Sequence, residues 1–220
     1  MTKRERLLGT GVRISGLDCL DFINTVNWHG SNDVNKWRDR LHEYVDIVWW
    51  AHYGGILNKK QMQCFLQSAK KHPVRAKQAL EAARGFRETF FRIILACISD
   101  SAANRTDLHS FNTLVKEAVV NSDLICKGDN FVWQWEYDYS NLIAPLYSVI
   151  YAAAQLLLSD QLTNIGVCAN SGCGWLYLDT SKNKNRRWCT MKVCGSRAKA
   201  KEYYYRQQNK IRKEKKNANM

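Results

Sequence analysis

The chain has 220 residues, 45% of them hydrophobic and 11% aromatic, which is enough to bury a sizeable core and excludes a chain disordered by composition. Its formal net charge of +13 is unevenly spread: from Cys168 onward fourteen Lys/Arg stand against three Asp/Glu, whereas residues 1–167 hold nineteen against seventeen. A nearly neutral body with a strongly basic tail is the pattern of a polyanion-binding module carried on a separate domain.

The opening stretch MTKRERLLGTGVRISG is basic and lacks the apolar run of a secretory signal. Residues 142–158 are the most apolar stretch, but Pro145, Ser148 and Gln155 interrupt it and it falls short of a bilayer span, so it predicts a buried core helix. Cys19, Cys64, Cys97 and Cys126 stand singly in apolar surroundings, where free cysteine behaves as a small buried hydrophobe. These features predict a protein of the reducing cytoplasm with no membrane partner.

In chain order, residues 16–28 predict a short helix made apolar over most of its circumference by Leu17, Leu20, Phe22, Ile23 and Val26. Asp21, Asn24 and Thr25 fall on one face of it, and polar groups on a buried helix need partners. An internal network is the leading expectation and contact with a bound ligand the alternative. Residues 38–52 carry Leu41, Tyr44, Val45, Val48 and Trp49 at helical spacing, closed by Gly54 and Gly55. Asn58 and Gln61 form a capping-box pattern ahead of Met62, Phe65, Leu66 and Ala69. Pro73 opens a long helix whose stripe of Ala76, Ala79, Leu80, Ala83, Phe86, Phe90, Ile94 and Ile98 reads as core. After a polar loop, Leu108, Phe111, Leu114, Val115 and Ala118 mark another helix. Residues 131–138 alternate, which predicts a strand burying Phe131, Trp133, Trp135 and Tyr137, with residues 119–126 as its hairpin partner.

The most informative stretch is residues 168–197. Cys168 and Cys173 have four residues between them, as do Cys189 and Cys194, and fifteen residues separate the pairs. Two thiolate pairs on short loops around a hairpin-sized insert can close a tetrahedral shell around one Zn²⁺, and four cysteines leave no position for a catalytic water. Gly172, Gly174 and Gly195 lie beside the ligands, where a tight knuckle needs positive φ and room. Disulfides are the alternative and would suit a secreted chain. Residues 175–178 read as a strand, and Trp175 and Trp188 as cover for the metal. Beyond Cys194, Ser196 is a candidate cap for a helix decorated by Arg197, Lys199, Lys201, Arg206, Lys210 and Arg212, a surface suited to a phosphate backbone.

The segment CTMKVCGSR (residues 189–197), preceded by Cys168, Cys173, Trp175, LDTS (178–181) and NRRW (185–188), resembles the CGNR zinc finger. The segment GLDCLDFINT (16–25) with Asp39, Arg40, Leu41 and Trp50 is similar to the ABATE domain that precedes that finger. The resemblance implies a bacterial protein regarded as a stress-induced transcription regulator. Ser196 stands where the family has Asn; Ser preserves a cap, whereas a base contact through the Asn amide would be lost.

The expected fold is mainly α (α+β): a helical domain with one β-hairpin over residues 1–160, then a small four-cysteine zinc module with a basic C-terminal helix over 161–220. The expected function is zinc-dependent DNA binding, with Cys168, Cys173, Cys189 and Cys194 on one structural zinc and Arg186, Arg187, Lys192, Arg197, Lys199 and Lys201 on phosphates. The body would pack, self-associate as a homodimer or sense a small ligand through Asp21, Asn24 and Thr25; with no long flexible linker the zinc module would pack against it, and residues 1–167 would stay soluble if the finger were removed. Binding to RNA or the ribosome is the alternative. An enzyme is disfavoured, because no nucleophile–base pair, Gly-rich phosphate loop or open metal position is evident.

Overall fold

A computed structural model describes residues 15–218, with side chains described through residue 209. The basic leader before Ser15, read above for a signal, lies outside the described residues. The first helix, α1 (Asp18–Ile23), has only six residues, and Cys19, Leu20, Phe22 and Ile23 are all buried. So short a helix is held by packing rather than propensity. Phe22 meets Trp50 edge-on at 5.0 Å and Phe86 at 5.9 Å.

Residues 38–39 do not begin a helix as their periodicity suggests. They form β2 (Arg38–Asp39), paired antiparallel with β1 (Val26–Asn27). The helix starts later, at α2 (Tyr44–Tyr53), where a Glu43–Asp46 capping box fixes its first turn and Gly54 its end. In α3 (Lys59–Lys71) the Asn58–Gln61 box is present in both directions: Asn58 Oδ1 accepts from Gln61 N at 2.9 Å, and Gln61 Oε1 accepts from Asn58 N at 2.8 Å. The long α4 (Pro73–Ile98) begins on its proline, whose missing N–H is no loss at a first turn. Its Ala76-to-Ile94 stripe is buried, and only Ile98 at its end is exposed.

Against α4 packs α5 (Arg105–Val120), with Phe86, Phe90 and Phe111 in mutual ring contact at 5.6–6.2 Å. The apolar run over 142–158 divides at its proline: a 3₁₀ turn (Ala144–Leu146) precedes α6 (Tyr147–Leu157), which is core. Among the described residues, no helix is long and apolar enough to cross a membrane.

The hairpin consists of β3 (Ser122–Lys127) and β4 (Asn130–Trp135), with Gly128 at φ +61 in its two-residue turn. Its expected buried face is only partly so: Phe131 is 71% exposed and Trp133 40%, although Trp133 meets Tyr151 of α6 at 5.4 Å. Nearer the core, Trp135 Nε1 donates to Ala118 O at 3.0 Å and Tyr137 meets Phe65 at 5.5 Å. The lone cysteines divide as well: Cys19 is buried, which pushes its thiol up to about 12, while Cys97 and Cys126 are exposed.

Candidate metal centre and nucleic-acid interface

Strands β5 (Ile165–Val167) and β6 (Leu176–Leu178) pair antiparallel and carry the first cysteine loop between them. Cys168 N donates to Trp175 O at 2.9 Å, and Cys173 N donates to Asn170 O at 2.9 Å. Gly172 and Gly174 adopt φ of +81 and +71, conformations that side chains disfavour. The second pair closes on a π-turn (Met191–Gly195), in which Cys194 N and Gly195 N both donate to Thr190 O. Gly195 is not at positive φ, and a Cβ there would meet only Met191 Sδ, part of an exposed and movable side chain. Ala169 N donates to Arg187 O at 2.8 Å and ties the loops together.

This framework brings the four sulfurs within 4.8 Å of one another. The separations are 3.5 Å for Cys189–Cys194, 3.7 Å for Cys173–Cys194 and 3.9 Å for Cys173–Cys189. A tetrahedron with Zn–S of about 2.3 Å has edges of about 3.8 Å, so the four cysteines fit one zinc ion. Without a metal, hydrogen bonds from Cys173 and Cys189 favour a thiolate at Cys168, and bonding to it raises Cys173 to about 12 and also raises Cys189, which keeps those two as thiols. A zinc ion among the sulfurs would hold all four as thiolates. Trp175, Tyr177 and Trp188 pack around the cluster.

The insert is organised by Asp179, which accepts from Ser181 Oγ at 2.6 Å, Ser181 N at 2.8 Å and Arg186 N at 2.9 Å. The Ser181 hydroxyl, with these backbone donors, holds its pKa below the ordinary carboxylate value. Arg186 itself is turned inward, a correction to its expected place on phosphates. Its guanidinium donates to Trp188 O and Leu178 O, each at 3.1 Å, and to Cys189 O, and it lies 4.3 Å from the Tyr177 ring centroid. It clasps the metal loop.

The expected helical face of Asp21, Asn24 and Thr25 is cut short, because α1 ends at Ile23 with Asn24 as its C-cap and Thr25 in the turn beyond, yet all three find partners inside the protein. Asn24 Nδ2 donates to Leu176 O at 2.8 Å while Asn24 Oδ1 accepts from Leu176 N at 2.9 Å, so the amide satisfies both backbone groups of one β6 residue as a neighbouring strand would. Asp21 Oδ1 accepts from Ser15 N at 2.9 Å. Thr25 Oγ1 donates to Phe22 O and accepts from Arg87, whose guanidinium grips Asp39 through two bonds of 2.7 and 2.8 Å. Asp21, Asn24 and Thr25 are buried, with hydrogen-bond partners inside the protein. The same seam continues through Trp175 Nε1, which donates to Val26 O at 2.6 Å, and Leu178 N, which donates to Ser15 O at 2.9 Å.

Residues 18–160 match the family model described as "ABATE: Putative stress-induced transcription regulator", and residues 164–207 match the CGNR zinc finger. The chain belongs to the ABATE family. A search of curated proteins found no match.

In this setting the CGNR finger is built into the ABATE body, because Leu176 and Ile165 belong to the main core. The finger leads into α7 (Ser196–Ala218). Ser196 is not its cap: it has helical φ and ψ of −64 and −40, and its hydroxyl donates back to Met191 O at 3.2 Å, so helix and π-turn are continuous. Arg187, Lys192, Arg197, Lys199 and Lys201 are exposed around the metal site and the first turns of α7. The side chains of Lys210 and Arg212 lie outside the described residues. Tyr203, Tyr204 and Tyr205, exposed in succession on this helix, were not singled out from sequence; the signal was an aromatic triplet between basic residues.

Proposed function

We propose that the chain is a zinc-dependent nucleic-acid-binding regulator acting by binding rather than catalysis, with duplex DNA as its preferred partner. The observation that carries this reading is the exposed basic surface rooted in the four-cysteine centre, on a body of almost balanced charge. Zinc fixes the loops from which α7 departs, and so fixes where its cations stand. A module of this size and composition gains its fold from metal binding. The tyrosines on α7 add ring faces on which sugars or bases can rest.

If Arg187, Lys192, Arg197, Lys199 and Lys201 each neutralise a phosphate, log K should fall against log salt with a slope of about −4 to −5 on duplex DNA. Lys199→Gln with Lys201→Gln should flatten it by about 2 and weaken all sequences alike. Competition between duplex DNA and structured RNA at fixed salt tests the partner. Preference for RNA would replace DNA in this reading, and a salt-independent interaction would overturn it.

A further inference from the structure

A cleft of about 440 Å³ opens between body and finger, a volume within the usual range of small-ligand sites. Asn27, Trp28 and Arg40 line it from the body; Trp175, Thr190, Lys192 and Arg197 line it from the finger, with cysteines of the metal centre at its floor. Its wall carries three cations from three separate elements and no Asp or Glu. Among the described residues no carboxylate forms an ion pair with Lys192 or Arg197. Arg40 is half-buried, stands 5.3 Å over the Trp175 ring and donates to Asn27 Oδ1 at 3.1 Å.

A second observation comes from Trp28. It holds φ at +62, a left-handed conformation rare for a bulky side chain, and strain of that kind gathers at ligand clamps. Packing against Gly172 keeps its indole at the mouth of the cleft, 39% exposed. Cations beside an exposed ring suit a molecule that joins a phosphate to a planar group. A zinc tetrathiolate carries a formal charge of about −2 and offsets part of the cationic field, which favours a single phosphate over a polyphosphate.

We infer that this cleft is a nucleotide site, with one phosphate held among Arg40, Lys192 and Arg197 and a base against Trp28. A free mononucleotide and one nucleotide of a bound strand offer the same chemistry. The second source rests on the reading above, since it shares Lys192 and Arg197 with it.

The test is titration calorimetry of the full-length, zinc-loaded protein with adenosine 5′-monophosphate, adenosine and inorganic phosphate, beside duplex DNA affinity at fixed salt. A free mononucleotide gives saturable binding tighter than that of adenosine or phosphate. Lys192→Gln, an exposed substitution that leaves the fold alone, weakens it about tenfold, as loss of one charge-assisted contact should. Trp28→Gly, which relieves the backbone and keeps every charge, weakens it as well, and Trp28→Phe restores it. A nucleotide within a strand gives no mononucleotide binding, but Trp28→Gly then lowers DNA affinity and Trp28→Phe restores it. If Trp28→Gly changes neither binding reaction at unaltered zinc content and melting temperature, the inference is overturned, even if Lys192→Gln weakens DNA binding. Mononucleotide binding without any DNA binding would keep the cleft and remove the DNA reading.

Discussion

Asn24 shows how one residue can look like a ligand contact and serve as a joint. Its burial and its need for partners were legible in the sequence, with an internal network the leading expectation, although it lies just past the end of α1 rather than on a helix face. The identity of the partner was not, because Leu176 lies 152 residues away and offers only its backbone. Asn24→Ala should lower stability in urea by about 1–3 kcal/mol, the usual cost of orphaning buried groups, with zinc content unchanged. An unaltered midpoint would contradict the joint. Asp39 is a second residue-scale test. Burial opposes its ionisation, but the two-pronged bond from Arg87 outweighs that and depresses its pKa. A depressed folded-state pKa gives stability that is fully present above the ordinary carboxylate pKa near 4 and is lost as pH falls through the lower folded value. Asp39→Asn should therefore narrow the stability gap between neutral and acid pH, as measured by thermal melts from pH 7 down to 2.5; an unchanged gap would remove Asp39 from the acid response.

At the scale of elements, local chemistry was readable and layer assignment was not. The Asn58–Gln61 box, Pro73 and the apolar stripe of α4 act where the sequence places them, because caps and helical periodicity are local signals. The β4 alternation is equally regular, yet which face of a ribbon is covered depends on what lies above it, and Phe131 is left exposed. Ser196 misled for a related reason: a π-turn ahead of it makes the helix continuous and leaves no N-cap position there. The first cysteine loop offers a direct test of close approach. A Cβ on Gly174 would meet the Gly30 backbone as well as requiring φ of +71, whereas Gly55, at φ +76, has nothing within 4 Å. Both Gly→Ala substitutions should cost about 1–3 kcal/mol from backbone strain. Gly174→Ala should cost measurably more in chemical denaturation and speed proteolytic clipping of the finger. Equal costs would mean that the Gly30–Gly174 contact is soft.

For the whole molecule, the four cysteines and the asymmetry of charge were legible because spacing and composition survive without coordinates. The docking of the finger was legible only as the absence of a long linker. Its depth was not, since the contacts run through Asn24, Val26 and Gly30 of the body to β6 and Gly174 of the finger. This bears on the expectation that residues 1–167 stay soluble without the finger. Removing residues 168–220 would strip Leu176 from the core and orphan the Asn24 amide, so that fragment should melt lower than the intact protein and bind hydrophobic dye. The measurement that bears most directly on the account is duplex DNA affinity of the full chain with zinc bound, after chelation, and after zinc is restored, with Cys173→Ser alongside and helix content followed by circular dichroism. The expected result is one zinc per chain, loss of DNA binding on chelation and in Cys173→Ser, recovery on restoring zinc, and little loss of helical signal from the body. DNA affinity that survives complete zinc removal would contradict the claim that the four-cysteine centre sets the binding surface.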